Sequence, residues 1–263
     1  MSGRRQLCSN GGGALTVGFT GRVDSYRQFR PRYPEAVAAL LEKECGLNSL
    51  SQIADVAAGT GLLAEVFLAR GFQVVAVEPN TEMRSACETL VQEYPRFRCV
   101  DGAAEATGLP SYSFDLITVG QALHWFDLDR TRVEFSRTLR PGGWCAVIYN
   151  ERRLGGDAFH DGYERLLREF GIDYETVQRQ HLTPDRIHGF FAPSEMRRAA
   201  FSNAQLLTLE ALEGRIVSSS YMPKPGHQRH AAMLTAIATL FESHADNGRV
   251  RLEYDCVVSY GQL

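Results

Sequence analysis

A chain of 263 residues is long enough to bury a full hydrophobic core, and 44% hydrophobic with 22% charged residues are the proportions of an ordinary globular protein. A formal net charge of -3 gives no general attraction to nucleic acid or to an anionic membrane, so neither is expected as a partner. No apolar run approaches the roughly 18 residues of a membrane span, no signal-peptide apolar region follows Met1 to Arg5, and the six cysteines form no CxxC pair, which together predict a reduced, cytoplasmic protein.

Asn10 to Ala14 is flexible by composition, so residues 1–18 are expected to be a lead-in. Residues 19–34 combine aromatics, arginines, Pro31 and Pro34, and read as a structured arm. Glu35 to Glu44 is predicted helical, with Pro34 at its first turn and Val37, Leu40 and Leu41 on one face. Strands and helices then alternate. A strand at 52–57 leads to a helix over about 60–70, a strand at 73–77, a helix from Thr81 to about Glu93 and a strand at 97–100. A strand at 113–119, a helix at 128–139, a turn at Arg140-Pro141-Gly142-Gly143 and a strand at 144–149 follow.

This alternation predicts an α/β fold, a doubly wound, mainly parallel, Rossmann-like sheet. In the last third, Asp157 to Phe170 and Gln228 to His244 read as helices, and Thr183-Pro184 and Pro193-Ser194 suggest short ones. Gln205 to Leu212 and Arg249 to Ser259 read as strands that complete a seven-stranded sheet as an antiparallel edge pair, behind a helical cap. With no internal repeat or linker, one domain is expected: arm and first helix over 19–45, core over 46–150, cap and final strands over 151–263.

The run Asp55-Val56-Ala57-Ala58-Gly59-Thr60-Gly61 is a strand end, a small-residue turn and a helix start, the layout of a nucleotide-type cofactor site. Asp55 would repel a pyrophosphate and welcome a cationic ligand. Glu78, at the end of the next strand, has the spacing of a carboxylate that binds a ribose diol. Gly59-x-Gly61-x-x-Ala64 also satisfies the dinucleotide fingerprint, so an NAD(P)-dependent oxidoreductase is the rival reading, with Asp55 arguing against it.

These residues resemble the class I S-adenosylmethionine-dependent methyltransferases, in particular the small-molecule branch that includes the trans-aconitate methyltransferases. The resemblance covers residues 19–150 well. Asp55 to Gly61 is similar to the family's D-x-G-x-G-x-G motif, with Ala57 in place of the first glycine. It implies S-adenosyl-L-methionine as cofactor, with Ala57, Gly59 and Gly61 near its methionyl part, Glu78 on the ribose, and Pro79 and Met83 beside the adenine. Gly102-Ala103-Ala104-Glu105 resembles the segment whose backbone meets the adenine edge, with Ala103 where an acid is usual. Gln121 to Phe126, with the pair His124-Trp125, resembles the segment after strand four, and Leu139 to Gly143 the turn before strand five. The arm is similar to the F…Y…R-P-x-Y-P segment that closes over the cofactor, which implies Tyr26 and Arg30 at the methionyl carboxylate.

Methyl transfer from a sulfonium releases a neutral leaving group, so positioning carries most of the catalysis. A carboxylate acceptor needs no base, whereas an alcohol or amine does, and His124 is the candidate base. His181, His188, His227, His230 and His244 show no ligand spacing, so no metal is expected. The cap should shape the pocket for a small-molecule acceptor, with Arg152, Arg153, Tyr163, Ser220 and Tyr221 as its polar candidates. A cofactor-binding scaffold without turnover is the third reading.

Overall fold

The computed structural model describes residues 27–176 and 183–263. The expected lead-in, the start of the arm, Tyr26 and His181 lie outside them.

The centre of the sheet is built from strands whose apolar residues leave almost no polar face. β1 (Gln52–Val56) and β2 (Gln73–Val77) are each buried over their last four residues, and β4 (Phe114–Gly120) is buried over most of its length. Strands of this kind are stable only between two layers of helices. β3 (Arg98–Val100), β5 (Leu139–Arg152), β6 (Met196–Leu207) and β7 (Val250–Gly261) complete seven strands in the order β3-β2-β1-β4-β5-β7-β6. β1 to β5 pair in parallel, whereas β7 runs antiparallel to both β5 and β6. The expected antiparallel edge pair is therefore present, with the last strand inserted inside the earlier one.

Side chains alternate between the two faces with a period of two. Ile53, Val74 and Leu116 pack on one face against α1 (Glu35–Glu44) and α2 (Leu62–Leu68), through Val37, Leu41, Leu63 and Phe67. Ala54, Val56, Ile117 and Val119 pack on the other against Phe135 of α4 (Leu128–Thr138) and Phe190 of α6 (Pro184–Phe191). Each large side chain buried in this way contributes about 1.5–3 kcal/mol. A third cluster joins α5 (Ala158–Phe170), α7 (Leu209–Val217) and α8 (His230–His244) over Leu207, Val250 and Tyr254 at the far end of the edge pair.

Local chemistry explains most boundaries. Asn80 caps α3 (Thr81–Glu88) by accepting from the Met83 amide, and Asp127, Asp157, Thr183 and Thr208 cap α4, α5, α6 and α7 in the same way. Four expectations are corrected. The helix expected to run to Glu93 ends at Glu88 and tightens into a 3-10 turn at Thr89–Gln92. Arg140 to Gly143 is an excursion within β5, where Leu139 pairs with Phe114 and Trp144 with Leu116.

The short helix at Pro193-Ser194 is absent, and β6 starts at Met196 in a twelve-pair ladder with β7. The strand expected at Gln205 to Leu212 stops at Leu207, because the Thr208 hydroxyl accepts the Ala211 amide and starts α7. β6 thus lies inside the cap, with helices on both sides of it in sequence.

Candidate functional site

The sheet order places β1 beside β4, with β2 and β3 continuing in one direction and β5 in the other. The chain leaves this switch point in opposite directions, opening a crevice at the carboxyl ends of the strands. The residue that follows each strand is bent into the left-handed region: Ala57 after β1 has φ 56°, and Gln121 after β4 has φ 58°. For residues bearing a Cβ this geometry costs about 1–2 kcal/mol each. Gln121 is held by its amide, which donates to Ile148 O at 2.9 Å, and by Nε2, which donates to Asn150 O at 3.2 Å.

Between these two bends lies a cavity of about 420 Å³, in the size range of small-molecule sites. Its floor includes Asp55, Ala57, Ala58, Gly59, Gly120 and Gln121. Arm residues Arg30, Pro31 and Tyr33 close one side, and His124, Trp125 and Tyr149 stand on another. The arm is tied down through its backbone: Gln205 Nε2 donates to Phe29 O at 3.1 Å and Asn203 Nδ2 to Arg32 O at 2.7 Å. Arg30 Nη2 donates to Ser218 O at 3.3 Å, joining the arm to the end of α7.

Asp55 is fully buried. Its Oδ1 accepts the Thr118 hydroxyl at 2.8 Å, and Oδ2 has no hydrogen-bond partner among the described residues. Burial pushes its pKa from 3.8 up to about 7, opposed by the Thr118 hydroxyl and the Ala64 amide and reinforced by Glu78. An orphaned acceptor on a cavity wall fits a ligand that brings a donor or a positive charge.

Glu78 sits one hydrogen bond behind the wall. Its Oε2 accepts the Gly59 amide at 2.8 Å and Oε1 the Asn80 amide at 2.9 Å. Burial raises its pKa while those two amides oppose the shift. The Gly59 amide is thus committed to a carboxylate and does not face outward for a phosphate, which argues against the dinucleotide reading.

Of the residues expected at the site, Arg30, Asp55, Ala57, Gly59, Gln121 and His124 line the cavity. Gly61 does not: with φ 85° it opens α2, and a Cβ there would meet Leu90 Cδ1 at 2.6 Å, so this glycine serves packing. Pro79, Met83, Gly102, Ala103 and Ala104 lie beyond the wall, beside the ends of β2 and β3. Met83 and Ala104 are buried, and a Cβ at Gly102 would meet Thr107 O at 2.5 Å. His124 has its Nδ1 3.2 Å from the Tyr149 hydroxyl, and its ring lies 4.7 Å from that of Trp125.

On the cap side, Arg152, Ser220 and Tyr221 reach the cavity, but Arg153 does not, because it pairs with Glu253 and Asp255 of the neighbouring strand β7. Among the lining residues that the sequence reading missed is Arg215, which reaches the cavity from α7. Its signal was a charge on an apolar stripe: Leu212, Arg215 and Ile216 are the buried residues of that helix, at helical spacing. Assigning a strand through Leu212 concealed it. Among the described residues no cluster of three or more His, Cys, Asp or Glu could hold a metal, and no helix is long and apolar enough to cross a membrane.

A family model described as a methyltransferase domain matches residues 54–147, from β1 to β5. An uncharacterized methyltransferase of Mycobacterium tuberculosis is 31% identical over 234 residues, covering 88% of each chain. An uncharacterized methyltransferase of Schizosaccharomyces pombe is 32% identical over 139 residues, or 52% of this chain and 54% of that one. Among solved structures, the YcgJ protein of Bacillus subtilis superposes with a TM-score of 0.56 at 16% identity, covering 87% of this chain and 98% of that one. Phosphoethanolamine N-methyltransferase 2 of Haemonchus contortus, solved with S-adenosyl-L-methionine, gives 0.58 at 14% identity, covering 98% and 61%.

Proposed function

Because the chain belongs to the class I S-adenosyl-L-methionine-dependent methyltransferases, we propose that it transfers a methyl group to a small molecule, with a carboxylate as the favoured acceptor group. S-adenosyl-L-methionine is the cofactor, and it supplies an electrophilic methyl group on a sulfonium. The observation that carries the reading is Asp55: a buried carboxyl with an orphaned oxygen at the switch-point cavity suits the positive charge of such a donor.

In this reading the turn from Ala57 to Gly61 brings backbone close to the methionyl part, and Arg30, with Tyr26 of the same arm, takes its carboxylate. Glu78 receives the ribose hydroxyls. Pro79, Met83 and the Gly102 to Ala104 segment flank the adenine, and Gln121 supports the opposite wall. The chain's own task is then to hold two reactants in line and keep water out, which the arm serves by closing one side. A carboxylate acceptor loses no proton on methylation. For an acceptor that must lose one, His124, with its Nδ1 against the Tyr149 hydroxyl, is the base. The reading assigns no metal and no nucleic-acid or membrane partner.

Calorimetry with S-adenosylhomocysteine and with NADH tests the cofactor, and release of labelled methyl product across carboxylates, phenols and amines tests turnover. Binding of S-adenosylhomocysteine and methylation of at least one panel member are expected. Binding of NADH alone would overturn the reading, and cofactor binding with no methylated product would favour a silent scaffold.

A further inference from the structure

The cap-side wall of the cavity carries two guanidinium groups in unequal circumstances. Arg215 is only 9% exposed, yet its Nε donates to the Tyr254 hydroxyl and its Nη1 to Ser219 Oγ, both at 3.3 Å. Neither partner is an anion. Its electrostatic neighbours are Tyr254, Tyr163 and Tyr221, with no carboxylate at ion-pair distance among the described residues. A charge taken out of water without a counter-charge is strongly unfavourable, and arginine cannot escape by losing its proton.

Arg152, at the end of β5, lines the same cavity. Its guanidinium stacks over the Tyr163 ring at 4.9 Å and pairs with Glu164, while Nη1 is buried with no hydrogen-bond partner among the described residues. Tyr163 neighbours both arginines. Neither acid that lines the cavity pairs with Arg215: Asp55 lies at the end of β1 with its Oδ1 on Thr118, and Glu151 has Arg198 as its cationic neighbour. Positive charge is therefore in excess on this wall, beside the apolar surfaces of Leu154 and Ile187.

We propose that this wall is an anchoring subsite for the acceptor, in which Arg215, assisted by Nη1 of Arg152, ion-pairs with a carboxylate on a short hydrocarbon frame. The proposal rests on the methyltransferase reading and adds to it the residues that anchor the acceptor's charge. A planar carboxylate matches the forked donors of a guanidinium, and the missing counter-charge then arrives with the substrate. A neutral isostere leaves Arg215 unpaired and is rejected, so the same group supplies selectivity.

The test uses the whole chain saturated with S-adenosylhomocysteine and titrated by calorimetry with succinate, citrate, succinamide and inorganic phosphate. Succinate or citrate is expected to bind, and succinamide is not. Arg215→Gln should weaken the carboxylate at least about 10-fold while S-adenosylhomocysteine affinity stays within about twofold. If Arg215→Gln does not fold, Arg215→Lys and Arg152→Gln carry the test, each weakening the carboxylate at least about fivefold.

Carboxylate binding unchanged in these variants overturns the proposal, as does phosphate binding in preference to carboxylate. A loss of S-adenosylhomocysteine affinity with carboxylate binding intact also overturns it, because Arg215 would then serve the cofactor. Cofactor binding without any carboxylate binding sinks the subsite and leaves the methyltransferase reading standing. Failure to bind S-adenosylhomocysteine at all sinks the cofactor reading, and the subsite with it.

Discussion

Replacing Asp55 by asparagine separates the cost of a buried charge from the value of the hydrogen bonds around it. The change is nearly isosteric and keeps an oxygen for the Thr118 hydroxyl, which lies 2.8 Å away. Burial raises the carboxyl from 3.8 to about 7, so the folded protein holds this proton more tightly than the unfolded chain does. The stabilisation that results is complete below the unfolded pKa and is lost as pH climbs through the folded one. At about 1.4 kcal/mol per pKa unit, the wild type loses about 3 kcal/mol through this one group between about pH 4.5 and about pH 8.

Asp55→Asn has no charge to acquire and loses none of it. Its amide nitrogen, at the place of an oxygen with no partner, costs about 1–3 kcal/mol at every pH and cancels in the comparison. Urea unfolding of both proteins at the two pH values is the assay. The variant is expected to gain about 3 kcal/mol relative to wild type on going from the lower pH to the higher. An equal difference at both values would refute the argument, since it would mean that Asp55 is already ionised throughout and that its hydrogen bonds outweigh its burial.

Three further outcomes are expected. Ala57→Gly relieves the left-handed strain at φ 56° and should raise stability by about 0.5–1 kcal/mol after the added freedom of the unfolded chain, read as a higher urea midpoint; a lower midpoint would show that the Cβ has a packing role. Glu78→Gln removes the charge from two amide hydrogen bonds and from the ribose contact proposed for it, and should weaken S-adenosylhomocysteine roughly 10- to 100-fold by calorimetry; unchanged affinity would mean that the ribose lies elsewhere. In Gly120→Ala the new Cβ would sit 2.6 Å from the Tyr33 hydroxyl, costing about 1–3 kcal/mol, and Tyr33→Phe in that background should recover part of the loss in urea unfolding; no recovery would place the clash on Leu63 instead.

Much of the fold was legible because local chemistry and the global arrangement agree. Apolar runs bounded by glycine, together with Asn80, Asp127 and Asp157 at helix starts, mark the elements from β1 to α5 whatever surrounds them. Where they compete, the reading failed. Gln205 to Leu212 is apolar enough for a strand, and only the Thr208 cap, with a ladder already satisfied by Met196 to Leu207, turns the chain into a helix there. The site divided in the same way. That Asp55 and Gly59 reach the cavity wall, with Glu78 bonded behind Gly59, follows from their spacing, because one strand-turn-helix unit and the next strand's end carry them. Gly61 shows the limit of that reading, since its motif position implied a ligand and its surroundings are Leu90 and Cys87.

By itself, then, the sequence determined the order of the elements from β1 to α5, the turn between Asp55 and Gly61, and the family to which they belong, because each is written in residues close together along the chain. Only the tertiary structure decided what the cavity holds on its other side. Arg152 and Arg215 stand 63 positions apart (215 − 152), on a strand and a helix that meet only when β7 inserts between β5 and β6 and the cap folds over. An arginine without a counter-charge is a property of everything around it, and no stretch of sequence contains its surroundings.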